Sequence, residues 1–339
     1  MMVSFASRFL RTALRVALVV LVLIGLLLVG FRWSATSREI IAFGEGLPSD
    51  GMMISTSEGA VFALNAGRSG QPQVLFAHGT AAWSGLWRPT LDATAGAGFY
   101  ATAFDMPPFG WSEHPTGDDF SRKKQAKRVI ALLEALGTRP IIVAHSIGAG
   151  PMTEAILERP DLVSGLVIVA GAIALNSHED PQELPVALRP DGLREFITSA
   201  TAANPWLTGT FLRQFIHVKT AATPERIAML QEPLQRQGYT AALNAWLPQL
   251  FETPVDALST RPEHWQSLDL PVVLIWGRED NVTPPAQGEE LSALIPDARL
   301  MLLDGVGHIP QIEAPEAFQA ALIEALGSIS ISTTKGIEE

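Results

Sequence analysis

From Val16 to Phe31 the chain runs for 16 residues without one polar side chain. As a helix this run measures about 24 Å, against a bilayer hydrocarbon core of about 30 Å. Arg15 and Arg32 flank it and can snorkel toward water, and Trp33 suits the interface. A cleaved signal peptide would carry a shorter apolar stretch ending at a small-x-small site, which Arg32 and Trp33 do not supply. Residues 1–33 are therefore expected to form an uncleaved single-pass membrane anchor, followed by a polar connector over residues 34–50. Three arginines and the amino terminus precede the apolar run, and two arginines follow it closely. This bias keeps the N-terminus cytoplasmic and sends the rest of the chain across the membrane, to the periplasm in a bacterium.

Beyond the connector the pattern changes to short apolar runs broken by turn residues. Met52–Thr56 and Ala60–Asn65 flank Ser57-Glu58-Gly59 and read as a hairpin. Val74–Ala77, Tyr100–Phe104, Ile141–Ala144 and Leu166–Ala170 read as short buried strands alternating with helices, the clearest helix being Asp119–Leu136, stopped by Gly137. The alternation lapses after Ala170 and resumes with a strand Val272–Trp276, a helix near Ala286–Leu294, a strand Arg299–Leu303 and a helix near Pro315–Leu326. The fold class this predicts is α/β, a mostly parallel sheet with helices on both faces. Residues 51–172 and 266–327 form the two parts of the core, and residues 173–265 form an inserted helical cap, with Thr223 capping a helix that starts at Pro224. Residues 328–339 are polar and expected to be a flexible tail.

A chain of 339 residues with 47% hydrophobic content can bury a large core. The net charge of −11, with five arginines and no acid in the first 38 residues, leaves the remainder strongly acidic and excludes a nucleic-acid partner. With no cysteine, thiolate metal sites and cysteine nucleophiles are excluded as well.

The candidate chemistry begins where the strand Ile141–Ala144 breaks into His145-Ser146-Ile147-Gly148. A nucleophile elbow needs a serine on a strained strand-to-helix turn, with nearly side-chain-free positions two before and two after it; Ala144 and Gly148 hold those positions. A serine hydroxyl needs a base, and the base needs an acid that holds its tautomer. Asp280 follows the strand Val272–Trp276, and His308 follows Arg299–Leu303 in a glycine-bearing loop, so the order is Ser, acid, His. After Val74–Ala77 come His78-Gly79-Thr80, where the backbone N–H of Thr80 can join that of Ile147 in an oxyanion hole supported by His78 and Gly79. His78 is read as a brace rather than a proton carrier, His114 and His145 as structural or cleft-lining, and Asp105 as a turn residue under Pro107-Pro108-Phe109-Gly110. The cap aromatics Trp206, Phe211, Phe215, Trp246 and Phe251 can serve as core or as substrate wall.

From about Gly51 to Leu326 the chain resembles the α/β-hydrolase superfamily, in its capped branch of esterases, lipases, haloperoxidases and C–C bond hydrolases. The resemblance is carried by Phe76-Ala77-His78-Gly79, Asp105-Met106-Pro107-Pro108-Phe109-Gly110-Trp111-Ser112, Ala144-His145-Ser146-Ile147-Gly148 and Gly305-Val306-Gly307-His308-Ile309-Pro310-Gln311-Ile312-Glu313. Serine at position 146 argues against the branch members that use a carboxylate nucleophile, the dehalogenases and epoxide hydrolases. The resemblance implies a serine hydrolase. The apolar and aromatic residues of the cap point to a carboxylic ester with a mainly apolar group, lipid-derived esters included, and with the triad as the one cluster of donors in the sequence no metal or organic cofactor is implied. A C–C hydrolase of a β-diketone-like substrate, or a silent hydrolase-like binding domain, is the alternative.

Overall fold

The computed structural model of the chain describes residues 2–115, 117 and 119–338. Met1 and Glu339, the outer ends of the expected anchor and tail, lie outside the described residues. Eight strands form one sheet: β1 (Gly51–Thr56), β2 (Gly59–Ala66), β3 (Gln73–Ala77), β4 (Tyr100–Phe104), β5 (Ile141–His145), β6 (Gly165–Val169), β7 (Val272–Gly277) and β8 (Arg299–Leu303). Their order is β1-β2-β4-β3-β5-β6-β7-β8. The hairpin β1–β2 joins β4 antiparallel, and every later pairing is parallel. Strands β3, β5, β6 and β7 are buried along their whole length, which is why they read in sequence as unbroken apolar runs.

In chain order the helices begin with α1 (Met2–Arg38), α2 (Arg88–Gly96), α3 (Arg122–Leu136) and α4 (Ala149–Glu158). The cap supplies α5 (Asp191–Ala200), α6 (Pro205–Phe215), α7 (Pro224–Gln231) and α8 (Tyr239–Trp246), and the chain continues through α9 (Pro262–Gln266), α10 (Pro285–Leu294), α11 (Pro310–Glu313) and α12 (Pro315–Glu338). Strand residues alternate between two cores. Leu75, Ile142, Leu166 and Leu274 meet Leu132 of α3, Met152 of α4 and Leu291 of α10, whereas Phe76, Val143, Val167 and Ile275 meet Trp87, Leu91 of α2 and Phe318 of α12. The start of α3 lies past the expected Asp119, because Ser121 caps it by accepting the N–H of Lys124.

Three segments add detail to the sequence reading. The last residues of the expected cap have already returned to the core: Trp265 is fully buried in the core cluster that contains Leu274, and its indole N–H donates to Ser259 O at 2.8 Å. The helix α12 continues through the expected tail to Glu338. Leu322, Ala325, Leu326 and Ile329 are buried at helical spacing, and Ile329 fills the space over Gly165, where a Cβ would lie 2.3 Å from its Cγ2. Part of the polar connector is bound to the cap. Arg38 donates to Ala203 O at 2.7 Å and Leu234 O at 3.3 Å, Glu39 accepts from Thr240 N at 2.9 Å, and Ile41 exchanges backbone bonds with Gln235 and Gln237. Arg32 pairs with Glu195 of α5 at 2.6 Å.

Candidate functional site

Strand β5 ends at His145, and the chain turns sharply at Ser146, whose φ of 54° lies in the left-handed region that side chains normally avoid. A 3-10 turn, Ser146–Gly148, then leads into α4. The turn is pressed against the loop after β3. A Cβ on Gly148 would sit 2.4 Å from His78 O, and one on Gly79 would sit 2.8 Å from His145 Nδ1 and 2.9 Å from the Ser146 Cβ. Glycine at both positions is what lets the serine and the loop approach.

Ser146, His308 and Asp280 meet here although 162 and 28 positions separate His308 from its two partners. Ser146 Oγ lies 2.8 Å from His308 Nε2, and His308 Nδ1 lies 2.9 Å from Asp280 Oδ2. All three residues are buried. With Nδ1–H donating to the carboxylate, Nε2 is left bare to accept the serine proton, which is the tautomer a general base requires. Asp280 also accepts the N–H groups of Val282 at 2.8 Å and Thr283 at 3.0 Å. Burial works against this carboxylate, but the hydrogen bond and charge of His308, with those two N–H groups, outweigh it and hold its pKa below the ordinary value.

Thr80 lines the same chamber as Ser146 and His308. Ile147 stands at the start of a helical turn, where N–H groups have no partner within the turn. His78 holds the loop carrying Thr80: its Nδ1–H donates to Gly79 O at 2.9 Å, and its Nε2 accepts Met106 N–H at 3.0 Å. Burial pushes its pKa down to about 4, so it is a neutral strut near pH 7. His145 donates from Nε2 to the backbone O of His308 at 2.9 Å. Burial, reinforced by neighbouring His308, lowers its pKa to about 3, so it ties the elbow to the His308 loop without adding charge. Asp105 accepts the N–H groups of Ser84 and Trp111, both at 2.6 Å, and burial pushes it up to about 6. His114 is packed beside Tyr239, their ring centroids 6.3 Å apart.

Two residues that the sequence did not single out organise the surroundings. Glu313 accepts four backbone N–H groups: Gly307 at 3.0 Å and Ile309 at 2.9 Å beside His308, and His217 at 2.7 Å and Val218 at 2.9 Å from the cap. Its only sequence signal is its place at the end of the string that begins at Gly305. Arg236 of the cap donates to Gly110 O and Ser112 O, pinning the loop after β4.

The chamber over Ser146 has a volume of about 120 Å³ and apolar walls from Leu86, Phe109, Phe211, Phe215, Leu243 and Trp246. The expected cap aromatics thus divide: Phe211, Phe215 and Trp246 face the chamber, whereas Trp206 is 82% exposed and Phe251 40%. Among the described residues no group of three His, Cys, Asp or Glu is placed to hold a metal ion.

Comparison with known proteins agrees with this architecture. A 2-hydroxymuconate semialdehyde hydrolase of Pseudomonas putida is 28% identical over 223 residues, 65% of this chain and 74% of that protein. The meta-cleavage product hydrolase CumD of Pseudomonas fluorescens superposes with a TM-score of 0.69 at 22% identity, covering 82% of this chain and 98% of CumD. A membrane phospholipase A, described as a bacterial virulence factor, superposes with a TM-score of 0.65 at 20% identity, covering 94% of this chain and 99% of its own. The family profile described as alpha/beta hydrolase fold matches residues 72–315, well over half the chain, and in agreement with the sheet order and the sharp turn at Ser146 this chain belongs to the α/β-hydrolase family.

Proposed function

We propose that this α/β hydrolase is a membrane-anchored serine hydrolase that cleaves a carboxylic ester bearing an apolar group through an acyl-enzyme. The observation that carries the reading is the pair of contacts from His308, 2.8 Å to Ser146 Oγ and 2.9 Å to Asp280 Oδ2, at the floor of an apolar chamber. In the proposed cycle Ser146 Oγ attacks the ester carbonyl while its proton passes to His308 Nε2. Asp280 stabilises the imidazolium, and the N–H groups of Thr80 and Ile147 hold the oxyanion. Collapse breaks the bond to the leaving oxygen, which takes the proton from His308. Water, deprotonated by the same imidazole, then releases the acid and restores Ser146.

The anchor reading is supported by Phe9–Arg38, a 30-residue helical stretch whose most apolar window of 18 residues has a mean hydropathy of 2.9 and no residue buried against the protein. The arginine bias supports a cytoplasmic N-terminus and a catalytic domain on the other side. A fluorophosphonate probe followed by peptide mass spectrometry tests the nucleophile. Labelling at Ser146, with Ser146→Ala lowering kcat on p-nitrophenyl esters by at least about 10⁴-fold, is expected. Folded protein that stays unlabelled at Ser146 would sink the assignment.

One observation favours a second reading. The relative that is 28% identical is named for hydrolysis of 2-hydroxymuconate semialdehyde, so C–C bond cleavage by the same residues deserves a side-by-side assay. A strong preference for vinylogous diketones over esters would reverse the order of the two.

A further inference from the structure

We infer that Trp246, paired with Phe109, is the wall that sets how long an apolar group the site accepts, dividing the chamber over Ser146 from a second chamber behind it. The inference rests on the serine-hydrolase reading and adds the residue that determines chain-length specificity. Phe109 and Trp246 line both chambers, and their rings meet edge to face with centroids 4.7 Å apart at 75°. The second chamber, about 50 Å³, backs onto Gly79 and Gly148, with apolar walls from Met106, Phe120 and Pro151 and polar ones from Arg122, Gln125 and Glu252. The wall continues past α8 into the turn Leu247–Leu250. Leu247 and Leu250 face the first chamber, whereas Gln249 faces the second.

The two rings are held differently. Phe109 stands edge-on to His78, with centroids 5.7 Å apart at 88°, and His78 is itself locked by its bonds to Gly79 and Met106. Moving Phe109 therefore disturbs the loop that carries Thr80. Trp246 comes from the cap, at the last residue of α8, and packs in one cluster with Phe109 and the partly buried Ile147. It can be trimmed without removing a hydrogen bond to the loop. An apolar chain that outgrows the first chamber ends against the indole; with the indole gone, the same chain passes into the second.

The test uses the full-length protein in detergent and alkyl fluorophosphonates of graded chain length, scored by their rates of reaction with Ser146. Trp246→Ala should raise the ratio of long-chain to short-chain rates at least tenfold over wild type. Trp246→Leu should shift it in the same direction with a smaller cavity, and carries the test if the alanine variant does not fold. Phe251→Ala, which lines neither chamber, should leave the ratio unchanged. A folded Trp246→Ala or Trp246→Leu with the wild-type ratio overturns the wall while leaving the nucleophile intact. Absence of labelling in the wild-type protein overturns the parent reading and this one with it.

Discussion

The Glu313 carboxylate receives the N–H groups on both sides of His308 and two more from the cap. One oxygen accepts Ile309, and the other accepts Gly307, His217 and Val218. Glu313→Gln replaces one acceptor by an amide that points donor to donor, stranding at least one buried N–H at a cost of about 1–3 kcal/mol. We expect a loss of about 2 kcal/mol in urea denaturation and a kcat on p-nitrophenyl esters lower by about tenfold, with KM changed much less, because the imidazole is displaced and the apolar chamber is untouched. A purely structural role would lower stability and leave the kcat of the folded fraction unchanged. Such a residue is hard to read in a sequence. Ser146 and His308 announce themselves by small residues needed for tight turns, and Asp280 by its place after a buried strand. Glu313 owes its role to His217 and Val218, 96 and 95 positions away, and no local pattern records that contact.

At the scale of elements, legibility follows burial. Strands β3, β5, β6 and β7 were visible because a strand covered on both faces must be apolar throughout, and the cap helix α7 because Thr223 and Pro224 are start signals used as such. The strap at residues 38–41 was not visible, since a charge that bonds to a neighbouring carbonyl and one that faces water are the same letter. Its contribution can be measured by stepwise truncation. A chain beginning at Glu39 loses the Arg32–Glu195 pair, about a third exposed and worth at most about 1 kcal/mol, and the two bonds from Arg38 to cap carbonyls, worth about 1.5–3 kcal/mol together. A chain beginning at Gly46 also loses the bonds of Glu39 and Ile41 to the cap. Thermal unfolding should therefore show two successive drops in Tm of a few degrees each, the second accompanied by lower ester turnover as the cap loosens over the chamber. Equal Tm values for the two truncated chains would mean that the strap rests on the cap without holding it.

For the whole molecule, the same contacts fix the orientation of the site relative to the apolar N-terminal helix through structure rather than through the length of a tether. The helix α1 runs unbroken from the apolar segment to Arg38, and its lower end meets the cap through Arg32, through Arg38 and through Phe31 set edge-on to the exposed Trp206, ring centroids 6.1 Å apart. If Val16–Phe31 lies in the bilayer, Trp33 and Trp206, both largely exposed, fall at the membrane surface, where aromatic rings are favoured. The cap then faces the lipid, and the chamber it covers lies within reach of apolar esters held there. Two measurements test this placement together. The intact chain should sediment with membranes and resist carbonate extraction, and a reporter fused after Glu339 should be active only on the non-cytoplasmic side. A soluble product beginning near residue 35 would show that the segment is removed, and a reporter active in the cytoplasm would reverse the orientation. Replacing Trp33 and Trp206 together by serine should leave turnover of a soluble short-chain ester unchanged while slowing hydrolysis of an ester presented in vesicles. Equal slowing of both would show that these rings support the fold and not the approach to the membrane.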